Sequence, residues 1–401
     1  MVGAQTRGHD LSLSRPFARP VRKTYLGRGH PTAPSQSKFR VTSTRFQPQE
    51  HVITRPKMRY IKLGIAGVQA SVLGFGCAAL MGRSGRSQSL HALRAAYDGG
   101  ITFFDTARSY GYGESESVVG EFLRGRRDRV IISTKFGIVP KRQQGWKRAL
   151  MPALRTILDV APGARNLIRD QVKAQFKENQ LTVKVLRDSL EESLRRLGTD
   201  YIDILFMHAA PASALAQLDV MDELDKLIIA GKIRMAGISA EPEVIASALE
   251  SKIPVLRAMQ FPVNLFDLRM LQILSAVHTK GLIFAANHPF GGVDHVTESK
   301  ALLRGLADLP SIPYELREKL LISGDETLSE VILNLILTRT SIQIALPSMM
   351  NLSHLKANIK AISSCRFTPE ELNWIGCHFA RKVSSIELNP EQKLSAHASY
   401  R

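Results

Sequence analysis

A (β/α)8 barrel with an N-terminal hairpin plug and closing C-terminal helices, preceded by a disordered basic extension, is the fold class that these 401 residues predict. Three observations carry the prediction. From residue 59 onward a short β-rich apolar run alternates with a longer helical pattern, the signature of parallel βαβ units. There are eight such runs, recurring about every 30 residues with longer gaps after the third and the seventh, and eight units close naturally into a barrel. No G-x-G-x-x-G word follows an early strand, so an open doubly wound sheet lacks its usual support.

Residues 1–57 stand apart. They hold six of the nineteen prolines and a charge of +9, with no helical or strand periodicity, so ordering them would cost entropy without burying a core. Disorder is expected. Arg and Ser richness with few acids also fits a transit peptide for organellar import, and Met58 offers a second place for translation to begin. The barrel is assigned to residues 58–383. It opens with a hairpin over Tyr60–Ala70, turning at Ala66-Gly67, that would plug the bottom. The strands are then expected at Val72–Cys77, Phe103–Ala107, Val130–Phe136, Ile202–His208, Ile233–Ser239, Ala258–Asn264, Leu282–Asn287 and Ile342–Pro347. Their nearly continuous apolar character suits a sheet covered on both faces. Between them, apolar positions recur at three and four over Ser89–Asp98, Val183–Leu197, Leu215–Ala230, Leu268–Lys280 and Thr327–Thr338. Two closing helices follow, Leu352–Ile362 and Pro369–Lys382, the second opened by Thr368 as cap, a first-turn proline and two first-turn acids. Residues 384–401 read as a flexible tail.

Composition narrows the function. With 44% hydrophobic and 22% charged residues the chain has the balance of a soluble globular protein, and no apolar run reaches the roughly 18 residues of a membrane span. The net charge of +18 is concentrated in the extension and in residues 136–180, which carry +6, rather than spread over the body; neither a nucleic-acid nor a membrane partner is expected. Three scattered cysteines, Cys77, Cys365 and Cys377, form no C-x-x-C pair, so no metal site and no disulfide framework can be written, and a reducing, cytoplasmic location follows.

In barrels of this kind the chemistry gathers at the C-terminal ends of the strands. Three strand ends there carry polar side chains without a packing reason: Asp105 on the second, Lys135 on the third and His208 on the fourth, with Tyr110 in a Gly-rich loop five residues beyond Asp105. Singly each has a bland reading, as a cap, a snorkelling lysine, a loop anchor or a satisfied core histidine. Together they suit proton transfer to an oxygen. A lysine ammonium in contact with a phenol favours the phenolate and is expected to lower the Tyr110 pKa, Asp105 would hold Lys135 charged, and His208 would orient a carbonyl.

These residues lie in words that resemble the aldo-keto reductase superfamily over essentially all of residues 59–382. The words are Leu73-Gly74-Phe75-Gly76-Cys77, the block from Phe104 to Glu116, the block from Ser193 to Asp203, Gly231-Lys232-Ile233-Arg234 before Gly237-Ile238-Ser239, Gln260 with Asn264, and Leu346-Pro347-Ser348 running on to Asn358. The resemblance implies a catalytic tetrad of Asp105, Tyr110, Lys135 and His208, and an extended nicotinamide cofactor, usually NADPH with NADH as the other option. It further implies hydride transfer to an aldehyde, ketone or sugar carbonyl as the small-molecule substrate. Carried over position by position, it assigns cofactor contacts to Ser239, Gln260, Asn287, Phe290, Gly291, Ser348, Met350 and Asn358. Three positions depart from the pattern. Ala240 stands where an Asn is common, Asn287 where a Tyr or Trp stacks on the nicotinamide, and Met350 where a cation meets the adenosine 2′-phosphate. The alternatives are a sugar 1-dehydrogenase running in the oxidising direction and a non-catalytic cofactor-binding subunit. The basic insertion after Lys135 is expected to fold over the substrate mouth, and the segment Val293–Gly324, behind Gly291 and Gly292, to help cover the pyrophosphate. The oligomeric state is left open.

Overall fold

The computed structural model describes residues 58–64, 68–82, 84–140, 176–177, 180–276, 280–322, 324–338 and 341–387. Eight parallel strands form one sheet: Phe75–Gly76, Phe103–Asp105, Ile131–Phe136, Ile202–His208, Ile233–Ser239, Leu256–Pro262, Ile283–Asn287 and Ile344–Leu346, each hydrogen-bonded to the next in chain order. Closure comes between the first and the last. Leu73 bridges Ala345 in parallel, with Gly74 N donating to Ala345 O at 2.8 Å, Ala345 N to Val72 O at 2.9 Å and Gly76 N to Pro347 O at 2.9 Å. The seam is tight here, since a Cβ on Gly74 would lie 2.4 Å from Leu346 Cδ2 and that side chain would have to shift.

The period-two alternation of the strands sorts the residues into two faces. Phe104, Ile132, Leu205, Met207, Ile238, Met259, Phe261, Phe284 and Ala286 belong to the large cluster that also takes in the surrounding helices. Phe103, Ile131, Ile204, Phe206, Ala258, Ile283, Ala285, Ile344 and Leu346 form a smaller buried cluster that fills the interior, joined by Leu63 and Ala70 from the initial hairpin. In that hairpin Tyr60–Ile61 pairs antiparallel with Ala70–Ser71, and its apolar side chains cap the barrel floor as expected. The inner face continues upward two residues at a time into Asp105, Ser133, Lys135, His208, Gln260 and Asn287. One face is therefore apolar at the bottom and polar at the top.

Helix boundaries follow from capping chemistry. Val183–Leu197 starts at Thr182, whose side chain accepts from Val185 N, and stops at Gly198 in the left-handed region (φ 62°). Pro369–Glu387 starts with a reciprocal box: Glu371 N donates to Thr368 Oγ1 at 3.2 Å, and Thr368 N to Glu371 Oε2 at 2.8 Å. It runs past the boundary drawn at residue 383, because the next proline is Pro390 and nothing earlier breaks the backbone pattern.

Three expectations are revised. The first, second and eighth strands are shorter than the apolar runs that contain them. The sixth begins two residues early, at Leu256, and ends at Pro262, beyond which Asn264 and Asp267 exchange backbone hydrogen bonds in a turn. The segment after the seventh strand, for which the sequence reading assigns no secondary structure, is two helices, Val293–Ala307 and Tyr314–Leu321. Of the insertion after Lys135, the two ends pair antiparallel, Val139–Pro140 with Phe176–Lys177; the readings made for residues 141–175, for residues 1–57 and for the tail beyond Glu387 lie outside the described residues. Among the described residues no helix is long and apolar enough to cross a membrane.

Candidate active site

The second and third strands are buried throughout, so their terminal polar groups are fixed by the sheet rather than by their own side-chain rotamers. Lys135 Nζ lies 2.6 and 2.8 Å from the two Asp105 oxygens and donates to Thr106 O at 3.0 Å. Asp105 Oδ1 also accepts from Ser133 Oγ at 2.6 Å and from Gln260 Nε2 at 3.0 Å. Both members of the pair are almost fully buried. Such a pair survives in a dry interior only with this many hydrogen bonds, because desolvation costs several kcal/mol per ion.

Tyr110 comes from the loop after the second strand, and the loop bends to bring it in. Gly111 and Tyr112 both sit in the left-handed region (φ 58°) and Gly113 at φ 85°. A Cβ on Gly111 would lie 2.4 Å from Leu80 O, so the loop is pressed directly onto the chain that follows the first strand. The Tyr110 ring centroid is 4.9 Å from Lys135 Nζ, and its ring meets that of His208 edge to face at 5.8 Å. Of the five non-glycine residues with positive φ among the described residues, Met81, Tyr112, Ala209 and His288 each follow a strand end on this side of the barrel; Lys252 caps a helix. Backbone strain thus gathers around one mouth, the pattern expected where a site over-determines its loops.

The electrostatics differ from the sequence expectation at one point. Burial pushes the Tyr110 phenol above its ordinary value; Lys135 pulls it down without overcoming burial, and Asp105 adds to the rise. Lys135 alone was expected to decide the shift, but the sequence does not reveal how dry the phenol is. Burial also disfavours the Lys135 ammonium, yet Asp105 and Tyr110 outweigh it and hold the lysine above its usual range, hence charged. His208 is pushed down to about 3, first by burial and then by Lys135, so its imidazole is neutral at physiological pH.

The residues assigned to the cofactor are placed unequally. Ser239 and Gln260 are buried side by side, Ser239 Oγ donating to Gln260 Oε1 at 2.8 Å while the amide nitrogen of Gln260 turns to Asp105. Gln260 is thus part of the support beneath the ion pair as well as a neighbour of the mouth. Asn287 ends the seventh strand and binds the ring of His288 (Oδ1 to Nδ1 3.0 Å). Phe290 is half-buried against the core, in a turn closed by Gly291 N donating to His288 O at 2.9 Å. Gly291 and Gly292 have φ of 68° and 104° and lead into the N-terminus of Val293–Ala307. Ser348 is exposed, and Met350 is half-buried and packed on the core without bringing any charge. Asn358 is buried, and its Oδ1 is an acceptor without a donor.

Two groups at the mouth were not singled out from the sequence. His288, in the left-handed region at φ 50°, is pushed down by burial and by Lys135, with Asp105 opposing. Its signal was its place directly after a strand end. Cys77, fully buried at the end of the first strand, has its thiol pushed up by burial and then by Asp105. Its place at the end of the apolar run Val72–Cys77 was legible, but its burial beside Asp105 was not.

Comparison with known proteins agrees with the fold. Residues 72–376 match the Aldo/keto reductase family. The aldo-keto reductase YhdN of Bacillus subtilis is 31% identical over 219 residues, which cover 53% of this chain and 56% of that protein. An aryl-alcohol dehydrogenase [NADP(+)] of Phanerodontia chrysosporium is 31% identical over 169 residues, 42% of this chain and 38% of that protein. Among solved structures, an aldo-keto reductase from Bacillus halodurans superposes with a TM-score of 0.58 at 23% identity, covering 81% of this chain and 96% of the other, a likeness of fold.

Proposed function

We propose that this chain, which belongs to the aldo/keto reductase family, an oxidoreductase class that uses NADP(H), reduces small aldehydes or ketones with Tyr110 as the proton donor. The observation that carries the reading is the buried Asp105–Lys135 pair set against the Tyr110 and His208 rings at the C-terminal end of the barrel.

Each residue has a task in this reading. His208, neutral, has no hydrogen-bond partner among the described residues and is free to bond the carbonyl oxygen and hold its orientation. Tyr110 donates its proton to that oxygen as negative charge develops there. A half-buried phenol held above its ordinary value stays protonated until it is needed, and the neighbouring ammonium stabilises the phenolate left behind. Asp105 keeps Lys135 charged and in place, and Ser133 and Gln260 hold Asp105.

A bound nicotinamide cofactor would supply the hydride for the carbonyl carbon. The orphaned acceptor of Asn358 and the paired glycines before a helix N-terminus, where backbone N–H groups suit a phosphate, fit such a ligand. Ser239, Gln260, Asn287, Phe290, Gly291, Ser348, Met350 and Asn358 would hold it. Met350 offers no cation to a 2′-phosphate, so NADH is the second cofactor to test. The name of the Phanerodontia relative makes aromatic aldehydes the first substrates to try.

The test follows the absorbance of the reduced nicotinamide, with NADPH and NADH against aromatic aldehydes, aliphatic ketones and sugars, in the parent and in Tyr110→Phe. Turnover in the parent, with a loss of about 100- to 10,000-fold in the variant at unchanged cofactor affinity, supports the assignment. Equal turnover in both discards Tyr110 as the acid. Cofactor binding without any turnover in the parent favours the non-catalytic alternative.

A further inference from the structure

Directly behind the mouth, the first two residues after the Tyr110 loop are used in an unusual way. Ser115 Oγ lies 2.9 Å from Thr106 Oγ1 and donates to Cys77 O at 3.2 Å. Glu116, 1% exposed, accepts from Thr134 Oγ1 at 2.7 Å. Thr106 adjoins Asp105 and Thr134 adjoins Lys135, so two consecutive residues at the start of the helix Ser115–Leu123 grip the neighbours of both members of the ion pair. The Thr106–Ser115 contact closes the base of the loop, and the Glu116–Thr134 bond ties that base to the third strand.

Burying a carboxylate here is costly, and the cost is visible. Burial pushes the Glu116 carboxyl above the ordinary carboxylate range, while Ser193, Thr134 and Arg108 pull the other way. Ser193 and Arg108 act on this same carboxyl group, yet among the described residues Glu116 Oε2, Ser193 Oγ and Arg108 Nε lack a hydrogen bond of good geometry. An alanine or an apolar residue would pack at this position without the desolvation penalty. A group kept in so expensive a place, with a short bond aimed at the residue before Lys135, is explained by what that bond holds.

We propose that Glu116 is a positioning residue for proton transfer, fixing the separation of Tyr110 and Lys135 by tying the loop that carries one to the strand that carries the other. The inference rests on the reading of Tyr110 as proton donor. Between the loop base and Asp105 the chain passes through the left-handed residues Gly111 and Tyr112, so a loop released at Ser115–Glu116 can relax its backbone strain by drawing the phenol away from the ammonium.

The test uses the full chain with Thr134→Val, Glu116→Ala and Glu116→Gln, reading kcat, KM for aldehyde, NADPH affinity and the pH profile of kcat. Misplacement of the acid predicts that Thr134→Val and Glu116→Ala lose about 10- to 100-fold in kcat with NADPH affinity unchanged. The limb of the profile set by the phenol should move alkaline in both, since its cation has receded. Glu116→Gln, whose side-chain oxygen still accepts from Thr134, should restore most of the rate. If Glu116→Ala does not fold, the isosteric Thr134→Val decides. Parent-like kcat and pH profile in Thr134→Val overturn the proposal even if its melting temperature falls, because the bond would then serve stability alone. Should the parent turn over no carbonyl at all, the functional reading fails separately; a crystal structure of Thr134→Val then decides this one, a widened Tyr110–Lys135 contact supporting it and an unchanged contact overturning it.

Discussion

The barrel buries an aspartate at each end, and the two are employed differently. At the base, Asp203 on the fourth strand is fully buried: Oδ2 accepts from Ile132 N at 2.9 Å and lies 2.8 Å from Arg127, and Oδ1 accepts from Arg234 at 2.9 Å. The two guanidinium groups also lie against the ring of Tyr201, at 3.8 and 4.1 Å. Arg127 spends its remaining donors on Thr199, Val130 O and Tyr201 O. At the mouth, Asp105 is equally well bonded, but its surroundings include a phenol that lies against the Lys135 ammonium and an imidazole whose side chain makes no hydrogen bond among the described residues. Both are buried carboxylates satisfied by cations, two guanidinium groups at the base and one ammonium at the mouth. What separates a structural pair from a candidate site is the hydrogen-bonding capacity left over around it, directed into the mouth.

That contrast can be broken on purpose. Lys135→Met should have the largest effect, because it strikes both properties at once: turnover falls by about 100- to 10,000-fold as the phenolate loses its cation, and removal of one partner from a buried pair costs about 3 to 5 kcal/mol. Asp203→Asn should destabilise by a similar amount, about 3 kcal/mol or more, read by chemical denaturation, while kcat per folded molecule stays unchanged. Loss of kcat in that variant would mean that the base and the mouth are coupled.

Smaller effects sharpen the comparison. His208 in the folded chain titrates near 3, below the roughly 6.5 of an unfolded histidine, so between those values the unfolded state binds more protons and stability is lost as pH falls through the window. His208→Gln should remove this term and spare about 2 kcal/mol at pH 5, measured as a smaller drop in melting temperature between pH 7 and pH 5 than the parent shows. An unchanged drop would place the imidazole in water. Tyr201→Leu should cost about 1 to 2 kcal/mol from its two cation–π contacts and leave activity alone; a melting temperature equal to the parent's would show that the Arg127 and Arg234 hydrogen bonds suffice without the ring.

Much of this arrangement was legible in the sequence, for definite reasons. The fourth and fifth strands begin and end where the apolar runs do, and Val183–Leu197 is bounded by its own cap and glycine. Asp105, Lys135 and His208 were visible because each interrupts an otherwise apolar strand at its end. The shortened first and eighth strands were hidden because the seam is held by few residues around Gly74, which apolar character alone does not reveal. The helices Val293–Ala307 and Tyr314–Leu321 escaped because a gap in the strand repeat says only that something intervenes. Glu116 and Asp203 are single acids inside patterned segments, and their value depends on Thr134, Arg127 and Arg234, which come from elsewhere in the chain. The direction of the Tyr110 shift needed the burial of the loop, a property of the folded mouth and not of any local word.

The seam between Leu73 and Ala345 also sets a timetable for synthesis. A nascent chain emerges from its N-terminus at about 5 to 20 residues per second, so the strand before Cys77 waits on the order of tens of seconds for its partner on the far side of the barrel. Until Ile344–Leu346 leaves the ribosome, the edge at Gly74 is an unpaired strand of the kind that recruits neighbours. Chains truncated anywhere short of Pro347 should share that open edge, whatever site residues they already contain.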